Sequence, residues 1–191
     1  MIPRTYKTEA IVLKRSNLGE ADKLLTLLTP NRGKLRCVAK GVRRLHSRKA
    51  PSLELFSRVY IFLARGKALD MVTEAILISG FPHLRSDLER VRYAYQFVEL
   101  VSAITRENQE NEAVYALLAK ALTWLDRTSQ VTDEGLRRFQ LKLLEYSGFG
   151  LPAHQDIDSL TGYIESIIDR RLVTGQHLDT DRASATIDPV T

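Results

Sequence analysis

The pattern of apolar and polar positions changes period near the middle of the chain. Up to about residue 80 the apolar residues come in short runs or alternate with polar ones, as in strands. Beyond Phe81-Pro82 they recur every three to four residues, as on one face of a helix. In the first stretch, residues 9–15, 24–29, 34–40, 55–63 and 69–78 read as five strands. Thr29-Pro30-Asn31 closes the second, Gly33 opens the third, and Arg65-Gly66-Lys67 separates the last two. Along the third, Leu35, Cys37 and Ala39 point one way, Lys34, Arg36 and Lys40 the other, with Val38 between them. Five short strands predict a small barrel, either SH3-like or an OB-fold, the commonest such barrel to bind nucleic acid.

The second stretch predicts four helices. Ser86 and Glu89 have capping-box spacing, and Leu84, Leu88, Val91, Tyr95, Val98 and Val101 make one stripe. The next helix carries Val114, Leu117, Leu118, Ala121, Leu122 and Leu125. A third, after Thr132-Asp133, carries Leu136, Phe139, Leu143 and Tyr146 and stops at Gly148. A fourth runs from about Asp158 to Leu172 with Leu160, Ile164, Ile167 and Ile168 inward. Residues 175–191 are polar and aperiodic, which predicts a disordered tail. The expected architecture is therefore α+β: an OB-fold β-barrel over residues 1–80, an all-α helical domain over 81–174, then the tail.

Charge divides the chain at the same place. Residues 1–80 hold 16 Lys and Arg against 6 Asp and Glu, a net of +10, and the rest hold 12 against 17, a net of −5. Between Asp22 and Glu54 there are nine cations and no acid: Lys23, Arg32, Lys34, Arg36, Lys40, Arg43, Arg44, Arg48 and Lys49. Surface charge that serves only solubility mixes both signs. An unbroken basic run fits phosphates, because each Lys or Arg that pairs with one releases condensed counterions. The alternative is a solvated face that pairs with the acidic helical half. Aromatic residues are sparse within the run, so base stacking would fall to Tyr6, Phe56, Tyr60 or Phe62. Tyr60 and Phe62 read better as strand packing, so contacts to the nucleic-acid backbone with weak sequence preference are expected.

Other chemistry is thinly represented. His46, His83, His154 and His177 are isolated from any second ligand at metal spacing. Cys37, on the apolar face of its strand, reads as a core thiol. Gly33-Lys34 and Gly66-Lys67 lack the glycine spacing of a P-loop, and Glu20 and Asp22 read as a polar strand edge. Catalysis, a metal, a cofactor and a small-molecule substrate are not expected. One cysteine, no signal-peptide pattern and no run of ~18–20 apolar residues predict a cytoplasmic protein without a membrane anchor. Arg137-Arg138 before Phe139 reads first as ordinary helix-surface charge. The alternative is a dock for an acidic-hydrophobic peptide tail, its carboxylates on the arginines.

Several blocks in order resemble the N-terminal signature of the bacterial RecO family: Ala10-Ile11-Val12-Leu13, Gly19-Glu20-Ala21-Asp22-Lys23-Leu24-Leu25, Thr29-Pro30-Asn31-Arg32-Gly33-Lys34 and Ala39-Lys40-Gly41-Val42-Arg43-Arg44. Leu136-Arg137-Arg138-Phe139-Gln140-Leu141-Lys142-Leu143-Leu144 with Gly148-Phe149 resembles the family's helical motif. The resemblance implies a recombination mediator in DNA repair. Such a protein binds single- and double-stranded DNA, anneals complementary strands and works with RecR to load RecA on SSB-coated DNA in the bacterial nucleoid. It also implies that the SSB C-terminal tail docks on the helical domain, with Arg137 and Arg138 in the matching motif. Many members carry a four-cysteine zinc-binding insertion after that motif. Here Phe149-Gly150-Leu151-Pro152 leads within a few residues to the last helix. The expectation is a deleted insertion without zinc, which leaves open any RecR contact or stabilisation that the insertion supplies. Two other functions fit the residues alone: a protein–protein adaptor with weak DNA binding, and an RNA-binding OB module.

Overall fold

The computed structural model describes residues 4–174; the predicted disordered tail lies outside the described residues. Five strands, β1 (Thr5–Leu18), β2 (Asp22–Thr29), β3 (Gly33–Ala39), β4 (Arg58–Ala64) and β5 (Asp70–Ser79), form a closed barrel in the order β1-β2-β3-β5-β4. This is the OB-fold. β1 is long enough to close it: Thr5 to Ile11 pair with β4, and Ile11 to Leu18 pair with β2, with a bulge between Val12 and Lys14. A short parallel pairing, Cys37 with Asp70 and Val38 with Met71, completes the ring between β3 and β5.

The run Ala10 to Leu13 is buried at all four positions because β1 is covered on both faces. Ala10 and Val12 point into the barrel with Leu25, Leu27, Leu35, Cys37, Val59, Ile61 and Leu63. Ile11 and Leu13 point outward and join Leu28 and Phe56 in the core of the helices. Each of these four outward side chains stabilises the junction by roughly 1.5–3 kcal/mol. A polar joint adds to it. Arg58 of β4 donates to Glu9 Oε2 of β1 at 2.7 Å, and the Tyr115 hydroxyl donates to the same oxygen at 2.9 Å.

The helices are α1 (Pro82–Arg85), α2 (Leu88–Ile104), α3 (Glu112–Arg127), α4 (Asp133–Tyr146) and α5 (Ile157–Ile168). Asp87, Asn111 and Asp156 cap α2, α3 and α5 by accepting from the backbone N–H three residues on. The stacked rings of Phe97 and Phe139, with centroids 4.2 Å apart, lock α2 to α4. Gly135 lets α4 approach Trp124, whose Cη2 would lie 2.4 Å from any Cβ placed there.

Several details differ from expectation: β1 extends well beyond residues 9–15 at both ends, and β3 stops at Ala39, one residue short. The fourth strand begins at Arg58, not residue 55, because Pro51–Leu53 forms a 3-10 turn and Phe56 takes a positive φ of 69°. Asp87 caps α2 in place of Ser86, whose backbone N–H closes the short helix α1 that the periodicity did not separate. The buried residues of α2 are Tyr93, Ala94, Gln96, Phe97, Val98, Leu100 and Val101; Leu88 and Tyr95 are exposed, the first because it lies in the solvent-facing opening turn. Finally, α5 stops at Ile168, where Asp169 turns left-handed, and Tyr146 is exposed at the end of α4.

Candidate nucleic-acid interface

The register of β2 and β3 decides where the basic run goes. Leu28 faces Lys34 at one end and Lys23 faces Ala39 at the other, so the cations spread along a strand of about 20 Å. β3 alternates as expected, with Leu35, Cys37 and Ala39 buried. Burial pushes the Cys37 thiol up to about 12, which removes it as a nucleophile at neutral pH.

At the Gly33 end the cations are engaged in structure. Lys34 is half-buried and donates to the carbonyls of Ser102 and Thr105, both at 2.6 Å. These are among the last carbonyls of α2 and the residue after it, where a cation complements the helix dipole. Burial there lowers the Lys34 ammonium below its ordinary value, against the pull of Glu107. Gly33 (φ 60°) passes so close to the segment after α2 that an added Cβ would lie 1.8 Å from the Gln109 carbonyl oxygen. Arg32 lies over the Tyr6 ring, 4.1 Å from its centroid, with Arg65 at 5.1 Å. The Tyr6 hydroxyl donates to Asp70, and burial followed by that carboxylate raises its pKa.

At the other end the cations face solvent. The turn after β3 is clasped to the turn between β1 and β2. Gly41 N donates to Asp22 Oδ1 at 2.8 Å, Arg43 N to the Ala21 carbonyl at 3.0 Å, and Arg43 Nη1 to the Gly19 carbonyl at 3.0 Å. Lys23 and Lys40 flank this clasp. Lys49 ties the loop to β5 by donating to the Val72 carbonyl at 3.0 Å. Arg36, Lys40, Arg44 and Arg48 are exposed, and their side chains make no hydrogen bond or ion pair among the described residues. Of the proposed stacking aromatics, Phe56 is buried edge-on against Tyr95, Phe62 is half-buried and Tyr60 is exposed.

On α4, Arg137 and Arg138 both pair with Glu134, at 2.7 and 2.6 Å. Their hydrogen bonds hold the Glu134 carboxyl down at about 2. Sequence reasoning missed a groove of 710 Å³ between barrel and helices, lined by Phe56, Val91, Tyr95, Lys14, Arg15 and Arg170. Its residues come from four separate segments, so no local pattern announced it. Arg15 pairs there with Glu54, whereas Lys14 and Arg170 are exposed.

Family models agree with this architecture. Residues 1–81 match the recombination protein O N-terminal model and residues 85–189 the recombination protein O C-terminal model. The chain belongs to the recombination protein O family. The DNA repair protein RecO of Roseiflexus sp. is 42% identical over 149 residues, 78% of this chain and 52% of that protein. Those of Dehalococcoides mccartyi and Symbiobacterium thermophilum are each 39% identical, over 77% and 75% of this chain and 58% and 57% of their own length. The chain thus spans a little over half of these RecO relatives.

Proposed function

We propose that the chain is a non-enzymatic recombination mediator in DNA repair, in which the barrel (residues 1–80) binds single- and double-stranded DNA and the helices (81–174) dock proteins. The four solvent-facing cations Arg36, Lys40, Arg44 and Arg48, gathered beside the clasped turns with Lys23 and Arg43, carry this reading. An exposed charge without a protein partner is available to phosphate. In this role the chain anneals complementary strands and, with RecR, helps load RecA on SSB-coated DNA in the bacterial cytoplasm.

Anisotropy of a labelled single-stranded oligonucleotide tests it. Affinity should fall steeply with salt, and reversing the charge of Arg43 and Arg44 should weaken binding to all sequences alike, lowering the salt slope by about 0.7 per lost phosphate contact. Salt-insensitive or absent binding refutes the proposal. An acidic-aromatic peptide such as the SSB C-terminal tail has two seats: Arg137 and Arg138, where it must displace Glu134, or the groove, where Phe56 and Tyr95 supply the apolar floor. Peptide titration against Arg137→Ala, Arg138→Ala and Lys14→Ala separates them.

A further inference from the structure

The basic surface lacks exposed aromatics, yet it presents one apolar side chain in an unusual position. Leu45 is 99% exposed, the most of any large apolar residue described. The loop that carries it is braced. Arg44 N donates to the Gly41 carbonyl, Ser47 N to the Arg44 carbonyl and Ala50 N to the Ser47 carbonyl, which makes three successive turns with Leu45 at the corner of the second. The clasp at Asp22, Ala21 and Gly19 fixes one end, and Lys49 on Val72 fixes the other. Leu45 is therefore held away from the protein surface, with Arg43, Arg44 and Arg48 within three residues of it. Leu18, at 42% exposure, adjoins the same clasp through Gly19. A scattered surface leucine needs no explanation. A fully exposed leucine on a braced corner, beside the unpaired Arg44 and Arg48 and the exposed Arg43, has one in the charge complementarity of the site.

We infer that Leu45 is a wedge that enters between neighbouring bases of bound DNA while the flanking arginines hold the phosphates on either side. The inference rests on the DNA-binding reading above. Apolar side chains inserted at a base step unstack it, and the cost is lower in a single strand than in a duplex. A strand held with its bases parted presents their pairing edges, which suits annealing. Leu45 would then do what the aromatic residues of other single-strand binders do by stacking.

A single-stranded oligonucleotide carrying one 2-aminopurine tests this with the full chain, since that base brightens when it unstacks. The wild-type chain should raise the fluorescence on binding. Leu45→Ala should keep the salt slope and the thermal stability, bind about tenfold more weakly, and lose most of the fluorescence rise. Leu45→Met, which keeps the apolar reach, should retain it. An unchanged rise in Leu45→Ala, or a wild-type chain that binds with salt-dependent affinity but no rise, overturns the wedge and leaves DNA binding standing. Absence of any wild-type binding overturns both.

Discussion

The two ends of β3 treat the same residue type in opposite ways. Lys34 lies on the outer face of β3, and Lys40, six residues on, directly follows its last residue, Ala39. Helix α2 ends against the barrel beside Lys34, so its ammonium is drawn in to cap Ser102 and Thr105. Among the described residues no helix covers the barrel beside Lys40, which with Arg44 and Arg48 is exposed. What packs outside the strand decides whether a cation stabilises the fold or is left for a ligand. A basic run is consequently several surfaces until its coverage is known.

The sharpest way to test that contrast uses two glycines with nearly the same dihedral. Gly33 (φ 60°) and Gly41 (φ 65°) sit at the two ends of the strand. Gly33→Ala sets a methyl group on the Gln109 carbonyl, whereas Gly41→Ala meets nothing closer than Arg44 Cδ at 3.6 Å. The left-handed backbone costs each alanine about 1 kcal/mol. Forcing the segment after α2 away from β3 should raise the total for Gly33→Ala to ~3 kcal/mol or more. Thermal unfolding of the two variants measures the gap, and equal losses would mean that the covered end is no tighter than the open one.

Exchanging charges gives the next effect. Lys34→Met should cost about 2 kcal/mol, because two carbonyls at the end of α2 lose a charged donor, while the salt slope of DNA binding stays as it was. Arg44→Met should do the reverse, leaving the melting temperature unchanged and lowering the slope. A lower slope in Lys34→Met would place that ammonium on phosphate and remove the distinction between the ends.

Much of this was legible in the sequence. Alternation and turn residues located all five strands, and the 3.6-residue period located the four longer helices. The unbroken charge run marked the barrel. Period alone could not report coverage. The sequence showed that Lys34 leaves the inner face of β3, but the end of α2 is over sixty residues away in the chain, so nothing local revealed that it meets that lysine. The same distance hid the groove and the joint of Glu9, Arg58 and Tyr115. The α2 stripe was misplaced for a related reason. Phe56 and the barrel surface, not the helix's own pattern, determine which side of α2 is inward, so Tyr95 lies over Phe56 and half in solvent. The Arg137-Arg138 pair was visible as charge, but Glu134, one turn earlier, engages both.

The smallest effect concerns how firmly the covered end is joined. Burial would raise the Glu9 carboxyl, but hydrogen bonds from Arg58, Tyr115 and Tyr60 outweigh it and hold its pKa below the ordinary value of 4.5. A carboxyl lowered on folding contributes stability that is complete above its unfolded pKa and is lost as pH falls through the folded one. The joint should therefore weaken below about pH 4.5. Because the Glu9 and Arg58 side chains keep 24% and 34% of their exposure, solvent screening limits the contribution to under about 1 kcal/mol. Glu9→Gln keeps the shape and removes the titration, so its stability should decline less between pH 5 and pH 3 (a range spanning the ~4.3 of a free glutamate) than that of the wild-type chain. Denaturant midpoints read in parallel by tryptophan fluorescence, which reports Trp124 in α3, and by far-ultraviolet dichroism should remain coincident in both proteins. The four apolar side chains shared between barrel and helices hold the two regions together even where the polar joint fails. Divergent midpoints in Glu9→Gln would instead make Glu9 and its three donors the principal link between the two regions.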